Sequence, residues 1–280
     1  MKRATPVNAE RRSQPRIPDG KWRTGLTCIE PNKILMRGYP LDEVMGRLTF
    51  GESIYLLFMG EVPTPGIGSL MEAMLVSFID HGATPPSTLA ARNTATTGAP
   101  LRACIAAGVL GFGRYHGGDI ESCMQFLDSG LSLVRDGMSY RDAAQKILEG
   151  CIESGEAIPG FGHRYHTRDP RAARLFQMAL ELEVDGAHLR MLRAIERALN
   201  ATRPDGQRIP VNVDGAIAAV CADIGLAASV GHALFIISRV PGLIAQAREE
   251  QERERPMRQI DSTAVIYDGP RERRLPGTRK

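Results

Sequence analysis

The chain has 280 residues, enough to bury a substantial core as one large domain or two smaller ones. Hydrophobic residues make up 43%, charged residues 24%, and the net charge is only +3, so the composition is that of an ordinary globular protein and demands neither a nucleic-acid nor a membrane partner. Five scattered cysteines (Cys28, Cys104, Cys123, Cys151, Cys221) show no CxxC and no histidine at ligand spacing, which argues against a disulfide framework and a zinc site.

The N-terminal stretch 1–20 mixes Pro, Arg and polar residues without periodicity and reads as a flexible arm. It has no apolar core of the secretory type. No uninterrupted run of about 18 apolar residues occurs, so no membrane span is expected, and a cytoplasmic location is. All but five of the 35 basic residues are Arg, which suits bidentate recognition of carboxylates and phosphates, although a GC-rich genome gives the same bias. Thr27 to Met36 and Val265 to Tyr267 are the only stretches that resemble strands. From Leu41 onward helical spacing dominates. Behind Ser139 as N-cap, Tyr140, Ala143, Ala144, Ile147, Leu148, Cys151 and Ile152 form one helical stripe. Leu175, Met178, Ala179 and Leu182 form a second, and Leu189, Leu192, Ile195 and Leu199 a third. Ala99–Phe112 and Ala216–Leu226 are apolar nearly all round, the pattern of helices buried on every side. The expected fold class is therefore all-α.

Four breaks between helices combine glycine with a titratable side chain: Asp80-His81-Gly82, Tyr115-His116-Gly117-Gly118-Asp119, Pro159-Gly160-Phe161-Gly162-His163-Arg164 and Asn212-Val213-Asp214-Gly215. Singly, each suits a cap or a turn. Together they offer three imidazoles and three carboxylates, and two imidazoles with one carboxylate are what proton transfer at carbon needs. Asp169-Pro170 has the form of a helix start, with Asp as N-cap and Pro at N1. Arg171 then falls in the first turn, where a cation opposes the helix dipole and needs an anionic partner, from protein or ligand. Arg239 ends an apolar run before Pro241-Gly242 and suits either a carbonyl cap or a ligand contact. The charged stretch Glu249–Arg258 reads as solvated surface.

From Trp22 onward the landmarks form an ordered series: Arg37-Gly38-Tyr39-Pro40, Gly60-Glu61-Val62-Pro63-Thr64, His81, His116-Gly117-Gly118, Gly160-Phe161-Gly162-His163 with Asp169-Pro170-Arg171, Asn212-Val213-Asp214 and Ser238-Arg239. In order and spacing this series resembles the citrate synthase superfamily. The resemblance implies an all-α, citrate synthase-like fold of a large helical domain (21–117 and 223–280) and a smaller mobile one (118–222), assembled as a homodimer or tetramer. It implies catalytic roles for Asp214 (base toward the acetyl-CoA methyl group), His116 (holding the thioester oxygen) and His163 (exchanging a proton with the keto or hydroxyl oxygen). It assigns the dicarboxylate to His81, Arg171 and Arg239, with Arg255 reaching across the dimer interface, and coenzyme A to Gly160, Phe161, Gly162 and Arg168. The thioester is a substrate; no permanently bound cofactor and no metal are implied.

Two departures bear on the reaction. Full-length synthases carry a long helical insertion between the landmark at Thr64 and the first ligand histidine, and this chain does not. Asp80-His81-Gly82-Ala83-Thr84 also differs from the synthase pattern and resembles citryl-CoA lyases, including the C-terminal module of ATP-citrate lyase. That module lacks the histidine of the HGG loop, which is present here as His116, and Asp119 stands where synthases have Ala-Asn. The resemblance thus implies cleavage of citryl-CoA to acetyl-CoA and oxaloacetate. The alternatives are a citrate or 2-methylcitrate synthase, and a non-catalytic protein that binds CoA or acyl-CoA.

Overall fold

A computed structural model describes residues 22–113, 116–117, 119–164, 166–201, 203–204, 207–259 and 261–273. The expected N-terminal arm, Gly118 and the last seven residues lie outside these. Among the described residues there are eleven α-helices and one small antiparallel sheet, so the all-α expectation holds. By compactness the chain divides into a unit ending at Glu72 and a second beginning at Ala73. The segment 118–222, expected as a small domain, lies wholly inside the second.

In the first unit, β1 (Thr27–Glu30) and β2 (Lys33–Met36) pair antiparallel, with Glu30 opposite Lys33, and β3 (Tyr39–Pro40) adds to β2. Asn32, at φ 62°, makes the turn between the first two strands. A short helix α1 (Leu41–Val44) precedes α2 (Phe50–Met59). Thr49 and Glu52 form a capping box at the start of α2, each side chain bonding the other's backbone N–H, and Gly60 ends the helix in the left-handed region. Arg37 donates to the carbonyl of Leu57 at 3.0 Å. Helix α3 (Pro65–Ser77) comes next, its last residues belonging to the second unit.

The second unit holds α4 (Pro86–Ala95), α5 (Leu101–Leu110), α6 (Asp119–Arg135), α7 (Tyr140–Ser154), α8 (Pro170–Glu181), α9 (Ala187–Asn200), α10 (Val213–Asp223) and α11 (Ala228–Arg253). Ser139 and Asp169 cap α7 and α8 as expected. Helix α10 is the hub: it packs against α6, α8, α9 and α11, and every residue from Gly215 to Cys221 is buried. The uniformly apolar stretch in that part of the sequence is therefore a core helix. The matching expectation fails for α5, where Cys104 and Gly108 are buried but Leu110 is 84% exposed. Among the described residues that helix packs chiefly against α4 and α11.

Three further differences concern α11 and the C-terminal tail. The helix does not end at Arg239; it continues through Pro241 to Arg253. Pro241 has no N–H to give the helix, and tertiary contacts hold the segment: Ser238 Oγ donates to the carbonyl of Leu75, and Arg239 Nε to that of Phe78 at 2.7 Å. Gly242 lets α11 press onto the backbone of Ile79, which a Cβ would strike. By length and composition α11 is long and apolar enough to cross a bilayer, which the lack of an uninterrupted apolar run did not suggest; it packs against α4, α5, α6 and α10. The charged stretch at its end is not all solvated. Glu250 is buried and accepts from Arg258 (2.7 Å) and Arg92 (2.8 Å), folding the tail back toward Thr96, whose carbonyl takes the N–H of Met257. Residues 265–267 find no strand to pair with and remain exposed.

Candidate active site

The second unit encloses a cavity of about 410 Å³, and the glycine-bearing loops meet at it. His81, His116, His163, Arg171, Asp214 and Arg239 all line it. Helix ends do most of the positioning. Asp214 sits in the first turn of α10, behind Asn212, which caps the helix by accepting from the N–H of Gly215 at 3.0 Å. The Asn212 amide also donates to the carbonyl of Gly162 (3.1 Å), while the N–H of Gly162 bonds Pro210 and that of Asn212 bonds Gly160. These bonds zip the Gly160–His163 loop onto the entry of α10. Gly160 adopts φ +82°, and a Cβ there would meet Cys123 Sγ at 2.6 Å and the Gly215 Cα at 2.7 Å. Only glycine tolerates both the angle and the approach.

Asp214 is half-buried, and its Oδ1, itself buried, has no hydrogen-bond partner among the described residues. Burial, and then the nearby charge of Asp119, push its carboxyl up to about 6, against the pull of Arg171 and Arg239. His116 goes the other way. Burial, followed by the charges of Arg239, His81 and Arg164, brings it down to about 4, so the ring is neutral at physiological pH. Its Nε2 shares a 2.8 Å hydrogen bond with Ser87 Oγ, and Phe112 and Phe235 flank it with ring centroids at 5.3 and 6.1 Å. His232 Nδ1 donates to the carbonyl of Gly117 at 2.6 Å and so anchors the next residue of the loop.

His163 Nδ1 accepts the backbone N–H of His166 at 3.1 Å, and the two rings stack at 4.3 Å. In the neutral ring the proton is therefore on Nε2. His163 and His81 meet edge to face, 6.0 Å apart, and burial lowers the pKa of both. The anionic partner that Arg171 needs is Asp169, which takes both Nε (3.1 Å) and Nη2 (2.9 Å) and also accepts the N–H of Val213 (3.1 Å). Although burial opposes it, Arg171 holds the Asp169 carboxyl below the usual range. Arg239 is only 3% exposed, lies over the Phe235 ring at 4.9 Å, and has a buried Nη1 without a partner among the described residues. A buried guanidinium with an unused donor, beside His81 and Arg171, has the chemistry to take a carboxylate.

Of the residues assigned to coenzyme A, Gly162 lines the cavity, whereas Gly160 and Phe161 do not. Arg168 faces a separate surface depression with Arg174. Arg255 lies in the exposed tail, away from the cavity of its own chain. Ser87, Asp119, Arg164, His232 and Phe235 join the site without having been assigned a role from sequence. Ser87, Asp119 and Arg164 stand beside or within the recognised loops; His232 and Phe235 carry no local signal.

The C-terminal domain model of citrate synthase matches residues 65–259, which spans all of these groups except the N-terminal landmarks. The chain belongs to the citrate synthase family. It is 29% identical over 213 residues to citrate synthase of Deinococcus radiodurans, covering 74% of this chain and 54% of that protein. It is 30% identical to "Putative citrate synthase 2" of Mycobacterium tuberculosis, covering 74% and 53%. The chain thus spans about half the length of these synthases. Among solved structures it resembles citryl-CoA lyase from Hydrogenobacter thermophilus with a TM-score of 0.82 and 40% identity, covering 91% of this chain and 97% of that one. ATP citrate lyase from Methanothrix soehngenii shares the citrate synthase fold at a TM-score of 0.77 and 20% identity, with 92% of this chain and 43% of that one covered.

Proposed function

We propose that this citrate synthase-family chain is a citryl-CoA lyase-like enzyme that cleaves citryl-CoA to acetyl-CoA and oxaloacetate. The observation that carries the reading is the match to a citryl-CoA lyase, 40% identical over 97% of that chain, against 29% and 30% identity over about half of the two curated synthases. The cavity is furnished for the chemistry. Arg171, Arg239 and His81 hold the carboxylates of the oxaloacetate half. The tertiary hydroxyl loses its proton to His163, whose Nδ1 lone pair is released from the His166 N–H to take it, as its oxygen becomes the keto group. The bond to the methylene carbon breaks, and its electrons pass into the thioester, whose oxygen is held by the neutral His116. Asp214, raised to about 6, delivers its proton to the carbon to make the methyl group of acetyl-CoA.

His163 and Asp214 both lie in segment 118–222, so closure of that segment shields the enolate from water. Coenzyme A extends from the cavity past Gly160, Phe161 and Gly162 toward Arg168, and Arg255 serves a second copy in a homodimer. The exposed apolar face of α5, including Leu110, supports such an assembly.

A synthase reading also has support, in His116 and in the curated relatives, one of which is a 2-methylcitrate synthase of Shewanella oneidensis. Supplying the purified protein with citryl-CoA, and separately with acetyl-CoA plus oxaloacetate, decides between them. Acetyl-CoA and oxaloacetate from the first, with no free CoA from the second, are expected. Rapid CoA release from the second marks a synthase, and inertness to both marks a binding protein.

A further inference from the structure

One carboxylate in the cavity takes no part in the cleavage steps. Asp119 is the first residue of α6, lines the same cavity as Asp214, and makes no hydrogen bond among the described residues. The contact between α6 and α10 places the two acids together. Cys123, one turn beyond Asp119, meets Gly160, which in turn meets Gly215, the neighbour of Asp214. Asp119 and Asp214 therefore stand in the first turns of two packed helices and line one cavity.

We infer that Asp119 is a positioning residue for the reaction: its negative charge raises the proton affinity of Asp214, so that more of the resting enzyme carries the proton that cleavage must give to carbon. The inference rests on the cleavage reading for its purpose, though not for its geometry. The charges facing Asp214 come from several elements. Asp119 on α6 and Asp169 before α8 favour the protonated form, and Arg171 on α8 and Arg239 on α11 oppose it. Cys123, fully buried, has its thiol pushed far up and adds no charge. Without Asp119 the two arginines are opposed at Asp214 by Asp169, which is already engaged by Arg171. The division of the pair reflects position. Both acids line the cavity and burial raises both, but Asp119 is the more exposed and stands at a helix N-terminus, which favours an anion. The arrangement leaves the charge preferentially on Asp119 and the proton preferentially on Asp214. A carboxyl that holds its proton to higher pH suits cleavage, since the carbon leaving citryl-CoA must be protonated. The reverse reaction needs the same group ionised.

The test compares wild type with Asp119→Asn and Asp119→Glu in three measurements: the pH dependence of kcat/KM for citryl-CoA cleavage, the same for condensation, and the titration of the Asp214 carboxyl by carbon-13 NMR in the resting enzyme. Asp119→Asn is expected to move the Asp214 titration down by about one pH unit. The alkaline fall of cleavage then moves down equally, lowering cleavage at pH 7 by about tenfold, and the acidic fall of condensation moves down with it. Asp119→Glu is expected to restore the wild-type limbs. A loss of activity equal at every pH, or an Asp214 titration unmoved in Asp119→Asn, overturns the inference. If wild type cleaves no citryl-CoA, the proposed function fails, while the Asp214 titration still decides the role of Asp119.

Discussion

Ser87 is completely buried, and its hydroxyl meets His116 Nε2 at 2.8 Å. A buried hydroxyl facing one ring nitrogen fixes the plane of the imidazole and leaves the other edge for the substrate. His116→Ala is expected to lower kcat for cleavage by about 10²–10³-fold, as for removal of one oxyanion donor. Ser87→Ala is expected to give a smaller loss in the same parameter, with KM little changed, because it frees the ring without removing it. Steady-state kinetics check both, and wild-type kcat in Ser87→Ala removes the serine from the site.

Gly160 and Gly215 are in backbone contact, and a Cβ on Gly215 would overlap the Gly160 carbonyl. Gly215→Ala therefore has to part the His163 loop from the entry of α10, breaking the register that sets Asp214 and His163 on one cavity. Such a change in a packed site costs about 1–3 kcal/mol or more. Urea unfolding is expected to show that loss, and activity to fall further than stability alone explains. A folded Gly215→Ala with normal turnover contradicts this role for the contact.

The same contact shows what the sequence makes legible. The loops themselves, and the caps at Ser139 and Asp169, were readable because glycine, proline and capping residues act locally. The partner of Arg171 was predicted as a need and not as a residue: Asp169, two positions away, was read only as a cap. His232 and Phe235 reach the His116 loop from α11, more than a hundred residues on, and no local pattern announces a contact that tertiary packing makes. Arg239 and Pro241 were misread as a helix end because proline opposes helix continuation, whereas the buried bonds of Ser238 and Arg239 hold the helix through it.

The raised pKa of Asp214 has a cost in stability. The folded-state value, about 6 against 3.8 for the free carboxyl, means that the native protein binds this proton more tightly than the unfolded chain. Stability is therefore lost as pH rises from about 4 to 6, and the penalty is complete above that, at about 3 kcal/mol. Asp214→Asn is expected to be more stable than wild type at pH 8, by less at pH 5, and inactive at both. Chemical denaturation at the two pH values tests this; an Asn variant no more stable at pH 8 rules it out.

His188 shows the opposite linkage. Its Nδ1 donates to Asp223 at 2.8 Å and its Nε2 to Asp128 at 3.1 Å, so it ties α9 to α10 and α6 as an imidazolium. Burial opposes the charge, but the two aspartates outweigh it and raise the pKa above 6.5. The stabilisation is complete below pH 6.5 and disappears as pH rises through the folded-state value. Asp223 also accepts the N–H groups of Gly186, His188 and Leu189, a cap that does not depend on pH. Thermal melts of His188→Gln are expected to lose the pH-dependent part alone, whereas Asp223→Ala loses that and destabilises at every pH. Parallel pH profiles for wild type and His188→Gln exclude the link.

Arg239 gives the most direct test of the carboxylate site, because binding can be read without turnover. Its Nε is taken by Phe78, its ring face by Phe235, and the unpartnered Nη1 remains for a ligand. A charge-assisted bond from a buried guanidinium contributes about 1.5–3 kcal/mol, so Arg239→Ala is expected to weaken oxaloacetate binding by about 10–100-fold. At a concentration one hundred times the wild-type Kd, oxaloacetate stabilises wild type by about 2.7 kcal/mol. A variant binding 100-fold more weakly gains about 0.4 kcal/mol at the same concentration. Arg239→Lys falls between, since an ammonium cannot bond the Phe78 carbonyl and a carboxylate in the same fork geometry. Denaturation with and without oxaloacetate distinguishes the three proteins. An undiminished ligand shift in Arg239→Ala places the dicarboxylate elsewhere.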